Sequence, residues 1–391
     1  MFDQLMERMR ASYSPNIAEN PTVIEAKKNG QLVFGMMCSN VPEELLAAAD
    51  ILPVRFLGSS SNVTSANEYQ TTYMCHYARS ILEMGLNEEY KSLDGQVYTY
   101  GCDGGSNLYQ ILMETVPQKY QRLIYIPHNR QAADAAGFYL KELQAFKESL
   151  EEYTGKKITD EAIREAIQTY NKHRDLLQQI YDLRGTGTTP LITGYEAAEI
   201  VEYTVSVSKK QSNEMLAQLI AAAKTRKVNE WKGPRIIVDG TFVNKDLQRI
   251  IEELDAMVVG DGICLGNRIF ANRIDETIPP MEALVQYALN RLPCNCLGYD
   301  QVAERRLEHV LTQIKKYHGH GVVLATQKWC DPFEFDRPFI QSELQKLKIP
   351  VTIIDIERTA DTSQIHNRLE SFMEMIKLSS NYEDSMMKEV N

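Results

Sequence analysis

The chain has 391 residues, 43% of them hydrophobic and 24% charged, with 21 glycines and 14 prolines. That length suits two or three domains with large cores, and the composition excludes a disordered chain, a collagen or a disulfide-stapled miniprotein. Its 42 Lys and Arg against 53 Asp and Glu give a net charge of -11 with no basic block, which argues against a nucleic-acid partner. The opening MFDQLMERMRASYSPN lacks an apolar core of signal-peptide length, and no apolar run is long enough to span a bilayer. A cytoplasmic protein with no membrane contact is expected, and its 7 cysteines read as reduced thiols.

A helical arm, residues 1–30, opens the chain. Apolar runs rich in β-branched and aromatic residues follow at 31–37, 54–57, 96–100 and 122–126, with helix-like segments opening near Pro42, Thr72 and Gly105. Strand and helix in alternation predict a parallel sheet with helical crossovers. Tyr139, Leu143, Phe146 and Leu150 keep helical spacing up to Thr154-Gly155, and Ile163, Ala166, Tyr170, Leu177 and Ile180 repeat it after the cap Thr159. The RGTGTTP stretch, 184–190, reads as a linker, and one helical segment is expected over 195–228. Beyond Gly233-Pro234 the alternation resumes, with strands at 235–238, 256–259, 322–325 and 351–356. Helices are expected there at 244–254, 300–317, 335–347 and 364–376. The expected fold is α/β: two doubly wound parallel-sheet (Rossmann/flavodoxin-like) lobes, 31–190 with a helical extension and 233–391, joined by a helical connector over 191–232.

In open parallel sheets, ligands bind beyond the carboxyl ends of the strands. Four cysteines fall there: Cys38 closes QLVFGMMC, Cys102 closes QVYTYGC, Cys264 follows AMVVGDGI, and Cys330 follows VVLATQKW. Cys75 lies in the first turn of the helix expected from Thr72, where free N–H groups favour a thiolate. Any one of these reads equally well as a small buried hydrophobe. Their coincidence points to a metal centre, because soft thiolates select iron–sulfur clusters or zinc. Zinc fits less well, since the only tight pair is Cys294-Asn295-Cys296 with a one-residue gap. Dispersed ligands suit a cluster in the cleft between the lobes, and three thiolates would leave one iron open to a substrate oxygen.

Other chemistry is thin. The Gly101-Cys102-Asp103-Gly104-Gly105 run lacks both dinucleotide and P-loop spacing, so no ATP site is expected. His318 and His320 read as partners of a helix C-terminus, and Asp331-Pro332 as a turn. Glu43 and Glu44 suit a helix start by charge alone, but Glu44 also stands near Cys38 and Ser39 at the mouth of one strand, where an acid or base is useful.

Several of these residues form a recognisable series. Cys38-x-x-x-Pro42-x-Glu44-Leu45 with Leu52-Pro53, Tyr73-x-Cys75-x-x-x-Arg79-Ser80, Asp94-Gly95 leading to Cys102-Asp103, and Lys328-Trp329-Cys330-Asp331-Pro332 occur in this order, with Gly321-Val322-Val323 and Asn367-Arg368-Leu369-Glu370-Ser371-Phe372. The series resembles the 2-hydroxyacyl-CoA dehydratase and benzoyl-CoA reductase subunit family, from about Val33 to Ile376. Asp50 stands where that family usually has glycine.

The resemblance implies a [4Fe-4S] cluster held by Cys75, Cys102 and Cys330, with Ser39 and Glu44 in the substrate pocket. It also implies a CoA-thioester substrate, a second homologous cluster-bearing subunit and a separate ATP-hydrolysing iron–sulfur activator. The implied reaction is reductive, ketyl-radical loss of water from an (R)-2-hydroxyacyl-CoA. Three alternatives remain open at this point: an ATP-dependent benzoyl-CoA ring reductase subunit, a double-cubane cluster reductase using more of the cysteines, and a non-catalytic two-lobe binding protein.

Overall fold

The computed structural model describes residues 1–59, 62–187, 189–292, 294–297, 301–357 and 362–378. The eight apolar runs pair as two four-stranded parallel sheets. In the first, β1 (Leu32–Met36), β2 (Ile51–Arg55), β3 (Gly95–Tyr100) and β4 (Tyr120–Tyr125) take the order β2-β1-β3-β4. In the second, β5 (Arg235–Gly240), β6 (Met257–Gly262), β7 (Gly321–Gln327) and β8 (Val351–Ile356) repeat it as β6-β5-β7-β8. Each order reverses direction once, between β1 and β3 and between β5 and β7. The loops after those strands diverge and leave a crevice at the carboxyl edge.

Helices supply the crossovers. The first stretch holds α1 (Phe2–Ala11), α2 (Pro21–Lys28), α3 (Glu43–Ala48), α4 (His76–Leu86) and α5 (Asp103–Thr115). The middle of the chain is α6 (Ala135–Thr154), α7 (Asp160–Gly185), α8 (Gly194–Thr204) and α9 (Lys209–Lys224). The remainder is α10 (Lys245–Glu253), α11 (Pro280–Asn290), α12 (Val302–Tyr317), α13 (Asp331–Lys346) and α14 (Thr362–Leu378). Among the described residues none of them is long and apolar enough to cross a membrane.

The local signals act as their chemistry dictates. Gly155, at φ 70°, ends α6 in a left-handed conformation, and the Thr159 side chain accepts the Ala162 N–H to start α7. Several boundaries differ from expectation, and two of them lie in helices of the later chain. The single helix expected over 195–228 is two, because Ser208 caps a fresh start and the Val205 carbonyl is released to accept the Arg55 N–H at the end of β2, 3.0 Å away. The helix expected from Phe335 begins at Asp331, with Pro332 in its first turn, where a missing N–H is harmless; the Asp331-Pro332 pair is thus a helix start. Asp300 and Thr188, the expected start of a helix and part of the linker, lie outside the described residues.

The stretch after β6 matters most for the site. It returns to the first sheet, where Ile274, Leu284, Val285 and Leu297 are buried in one apolar cluster with Phe34, Leu143, Phe146 and Ile163. Asn171, fully buried on α7, locks it in place by donating to the Ile274 carbonyl at 2.8 Å and accepting the Ile274 N–H at 2.9 Å. The path carries Cys294 and Cys296 to the carboxyl edge of β3.

Candidate functional site

Three thiols expected to act together occupy the same kind of local position. Cys75, Cys102 and Cys330 are the N-cap residues of α4, α5 and α13. The helix at Cys75 therefore starts one residue past it rather than at Thr72, since the turn before it is not helical. At each N-cap the first helical N–H groups lack intrahelical partners and give the capping residue a positive local environment. The Cys102 Sγ accepts the Gly105 N–H at 3.4 Å. Cys75 and Cys330 make no side-chain cap hydrogen bond, although the nearby N–H groups of Tyr77 and Ala78, and of Phe333, still favour their thiolates. Glycine keeps the wall around Cys102 thin: a Cβ at Gly105 would stand 3.6 Å from its sulfur, and one at Gly104 would meet the Met74 Sδ at 2.9 Å.

The three thiols also share one electrostatic environment. Burial pushes the Cys75 thiol up to about 12, and the neighbouring Cys102 raises it further. Burial likewise holds Cys330 well above the ordinary thiol range, with Cys75, Cys102 and Cys264 adding to it. Cys102 is lowered, chiefly because the Cys296 thiol hydrogen-bonds to it. Cys296 stays the protonated member of that group, and Cys294, its other partner, is lowered to about 5. Cys264 is raised to about 11 by burial, against the pull of Arg268, whose Nη1 donates to the Cys264 Sγ at 3.7 Å. Cys38 lies within range of Cys264, and the Asn40 amide donates to its Sγ at 3.4 Å. All seven cysteines thus belong to one connected field. Among the described residues, no three or more His, Cys, Asp or Glu side chains close on a single metal ion.

Ser39 and Glu44 sit to one side of this field. Glu44 is buried and accepts from the Arg174 guanidinium at 2.5 Å, while Glu43 pairs with Lys209 at 3.1 Å. Arg174 also lies over the Tyr287 ring, 4.6 Å from its centroid. These residues, with Ser39 and His173, line a cavity of about 40 Å³. Burial holds the His173 imidazole well below its ordinary pKa, and its Nδ1 faces Asn213 Oδ1 at 3.0 Å. Arg174 and His173 were missed from the sequence. The usable signal was polar residues inside the apolar stripe of α7, where Arg174 falls at helical spacing between Tyr170 and Leu177.

A second, open cleft of about 240 Å³ lies between residues at the carboxyl ends of both sheets, lined by Leu57, Tyr77, Phe242, Leu265 and Gln327 among others. The Tyr77 and Phe242 rings stack there, with centroids 3.8 Å apart. His76 is buried, with Nε2 3.0 Å from the Ser59 carbonyl oxygen. His320 is not a charged helix partner. Its Nδ1 accepts the Arg235 N–H at 3.0 Å, and burial lowers its pKa to about 4.

Known proteins resemble the chain along most of its length. It is 28% identical to the (R)-phenyllactyl-CoA dehydratase beta subunit of Clostridium sporogenes, over 92% of this chain and 97% of that one. It is 26% identical to one of the subunits of the benzoyl-CoA reductase of Thauera aromatica, over 88% of this chain and 91% of that one. Against the (R)-2-hydroxyglutaryl-CoA dehydratase beta subunit of Acidaminococcus fermentans the identity is 25%, over 90% and 94% of the two chains. The family described as 2-hydroxyglutaryl-CoA dehydratase, D-component, matches residues 38–376, and this chain belongs to that family of dehydratase and related reductase subunits.

Proposed function

We propose that the chain is the iron–sulfur subunit of a 2-hydroxyacyl-CoA dehydratase, with Cys75, Cys102 and Cys330 holding a [4Fe-4S] cluster. The observation that carries this reading is the threefold repetition of one motif, a cysteine at a helix N-cap, with Cys102 raising the thiols of both Cys75 and Cys330. The donor set fits the group. Several soft thiols that influence one another are the donor type that iron–sulfur clusters select. Helix N–H groups near the sulfurs favour the thiolate form that ligation needs. When bound, such a cluster supplies single electrons at low potential and an iron able to act as a Lewis acid.

The protein's own residues do the rest. We place the acyl group in the open 240 Å³ cleft, against the apolar part of its lining at Leu57, Tyr77, Phe242 and Leu265. The smaller cavity at Ser39 and Glu44 has about the volume of one water, the size of the departing group. We assign Ser39 and Glu44 to this polar side, where the Ser39 hydroxyl can donate and Glu44, fixed by Arg174, can accept a proton. A homologous second subunit, a CoA thioester and an ATP-hydrolysing activator complete the proposed system. Support comes from relatives named as beta subunits of dehydratases.

A specific observation favours a second reading. Seven thiols in one field exceed the four that one cubane can engage, which supports a double-cubane centre. An assay separates the candidates: reduced protein, with its activator and partner, should convert a 2-hydroxyacyl-CoA to the 2-enoyl-CoA with reductant needed only to start. Reductant and ATP consumed in proportion to product would instead indicate a ring reductase, and no conversion with about eight irons per chain a double-cubane enzyme.

A further inference from the structure

Buried guanidinium groups are ordinarily matched by carboxylates, because an unpaired charge in the interior is costly. Most in this chain obey that rule. Arg174 has Glu44, Arg184 has Asp261, and Arg268 and Arg306 share Asp239. Arg55, Arg235 and Arg291 do not, and Arg235 is accounted for by the Tyr317 and Gly185 carbonyls to which it donates. Arg55 and Arg291 are each more than nine-tenths buried, and among the described residues neither forms an ion pair. Arg55 is the last residue of β2, where its guanidinium lies against the hydroxyl of Tyr77 and its Nε has no hydrogen-bond partner. Arg291 donates to the Ser39 carbonyl at 2.6 Å and to the Arg268 carbonyl, both neutral acceptors. What the two have in common is sulfur: Arg55 lies within electrostatic range of Cys38 and Cys264, and Arg291 within range of Cys294.

We infer that Arg55 and Arg291 are the counter-ions of the anionic group bound by the thiol field, positioning residues that set its reduction potential rather than stabilise the fold. The inference rests on the cluster proposed above. A guanidinium keeps its charge at any working pH, so it favours the more negative, reduced state of a neighbouring group constantly. It does so at a distance, through Coulomb attraction in a region of low dielectric constant, without ligating. In the protein without the group, neither guanidinium has a carboxylate to face among the described residues.

The two roles make opposite predictions, which an Arg55→Met variant separates. In the iron-free chain, Arg55→Met should melt no lower than the parent, since it removes an uncompensated charge and keeps the bulk. In the iron-loaded chain, followed by redox-titrated electron paramagnetic resonance, it should lower the midpoint potential. The expected change is about tenfold in the reduced-to-oxidised ratio at fixed potential, about 59 mV for one electron. Arg55→Lys, which keeps the charge, should restore most of the shift, and Arg291→Met should shift the potential in the same direction. If Arg55→Met binds iron with an unmoved potential, or Arg55→Lys moves it equally, the inference is wrong while the cluster stands. A parent chain that binds no iron after oxygen-free purification overturns the cluster and the inference together.

Discussion

Two buried polar regions lie side by side in this chain and are built on opposite principles. Around Ser39 and Glu44, each carboxylate has its own cation, Glu43 with Lys209 and Glu44 with Arg174, and the imidazole between them is neutral. Around the cysteines, thiols crowd together at the ends of helices, and Arg55 and Arg291 face them without carboxylates. The first region is electrically complete from its own side chains. The second, on the proposed reading, is arranged around the charge of a bound group. A self-neutral network should fail when one member is removed, whereas a region prepared for a bound group should tolerate the loss until that group is present.

The largest effect should come from breaking the complete region. Arg174→Met leaves the Glu44 carboxylate buried and alone, and should cost about 3–5 kcal/mol in denaturant unfolding. Adding Glu44→Gln to it should recover much of that loss, because no unpaired charge remains. Acid should act on the same region. The pKa of His173 is depressed in the folded chain, whereas an unfolded histidine takes up a proton below about pH 6.5. The stability contributed by keeping His173 neutral is therefore full above that pH and is lost as pH falls below it. His173→Gln should move the acid-unfolding midpoint to lower pH, and an unchanged midpoint would remove His173 from the account. The smallest effect should come from the sulfur region. Serine is a better N-cap than cysteine, so Cys102→Ser in iron-free protein should change stability by no more than about 1 kcal/mol.

The eight strands were legible because buried parallel strands are nearly continuous runs of apolar, β-branched residues. β2 shows where the signal thins: it spans Ile51–Arg55 rather than 54–57, with Pro53 inside it. Proline is tolerated at that position because β2 is an edge strand. The helical caps at Thr159 and Gly155 were legible as local chemistry. The break at 205–208 was not, since it depends on a hydrogen bond from a residue 150 positions earlier, Arg55.

The site divides the same way. Cys38, Cys102 and Cys330 announced themselves by following strands, and Cys75 by its place near a helix start. Cys294 and Cys296 gave only a weak pair signal, because what brings them to Cys102 is α11, a helix opening on Pro279-Pro280 that the sequence pattern did not mark. Arg55 read as the end of a strand and nothing more. Its meaning lies in the carboxylate it lacks among the described residues, which only a folded chain can display.

The central claim is tested most directly by counting iron and acid-labile sulfide in protein purified without oxygen, alongside Cys75→Ser, Cys102→Ser and Cys330→Ser. About four of each per chain, lost in every one of the three variants while the fold persists, is the expected result. Iron retained in all three variants, or none in the parent, would contradict it.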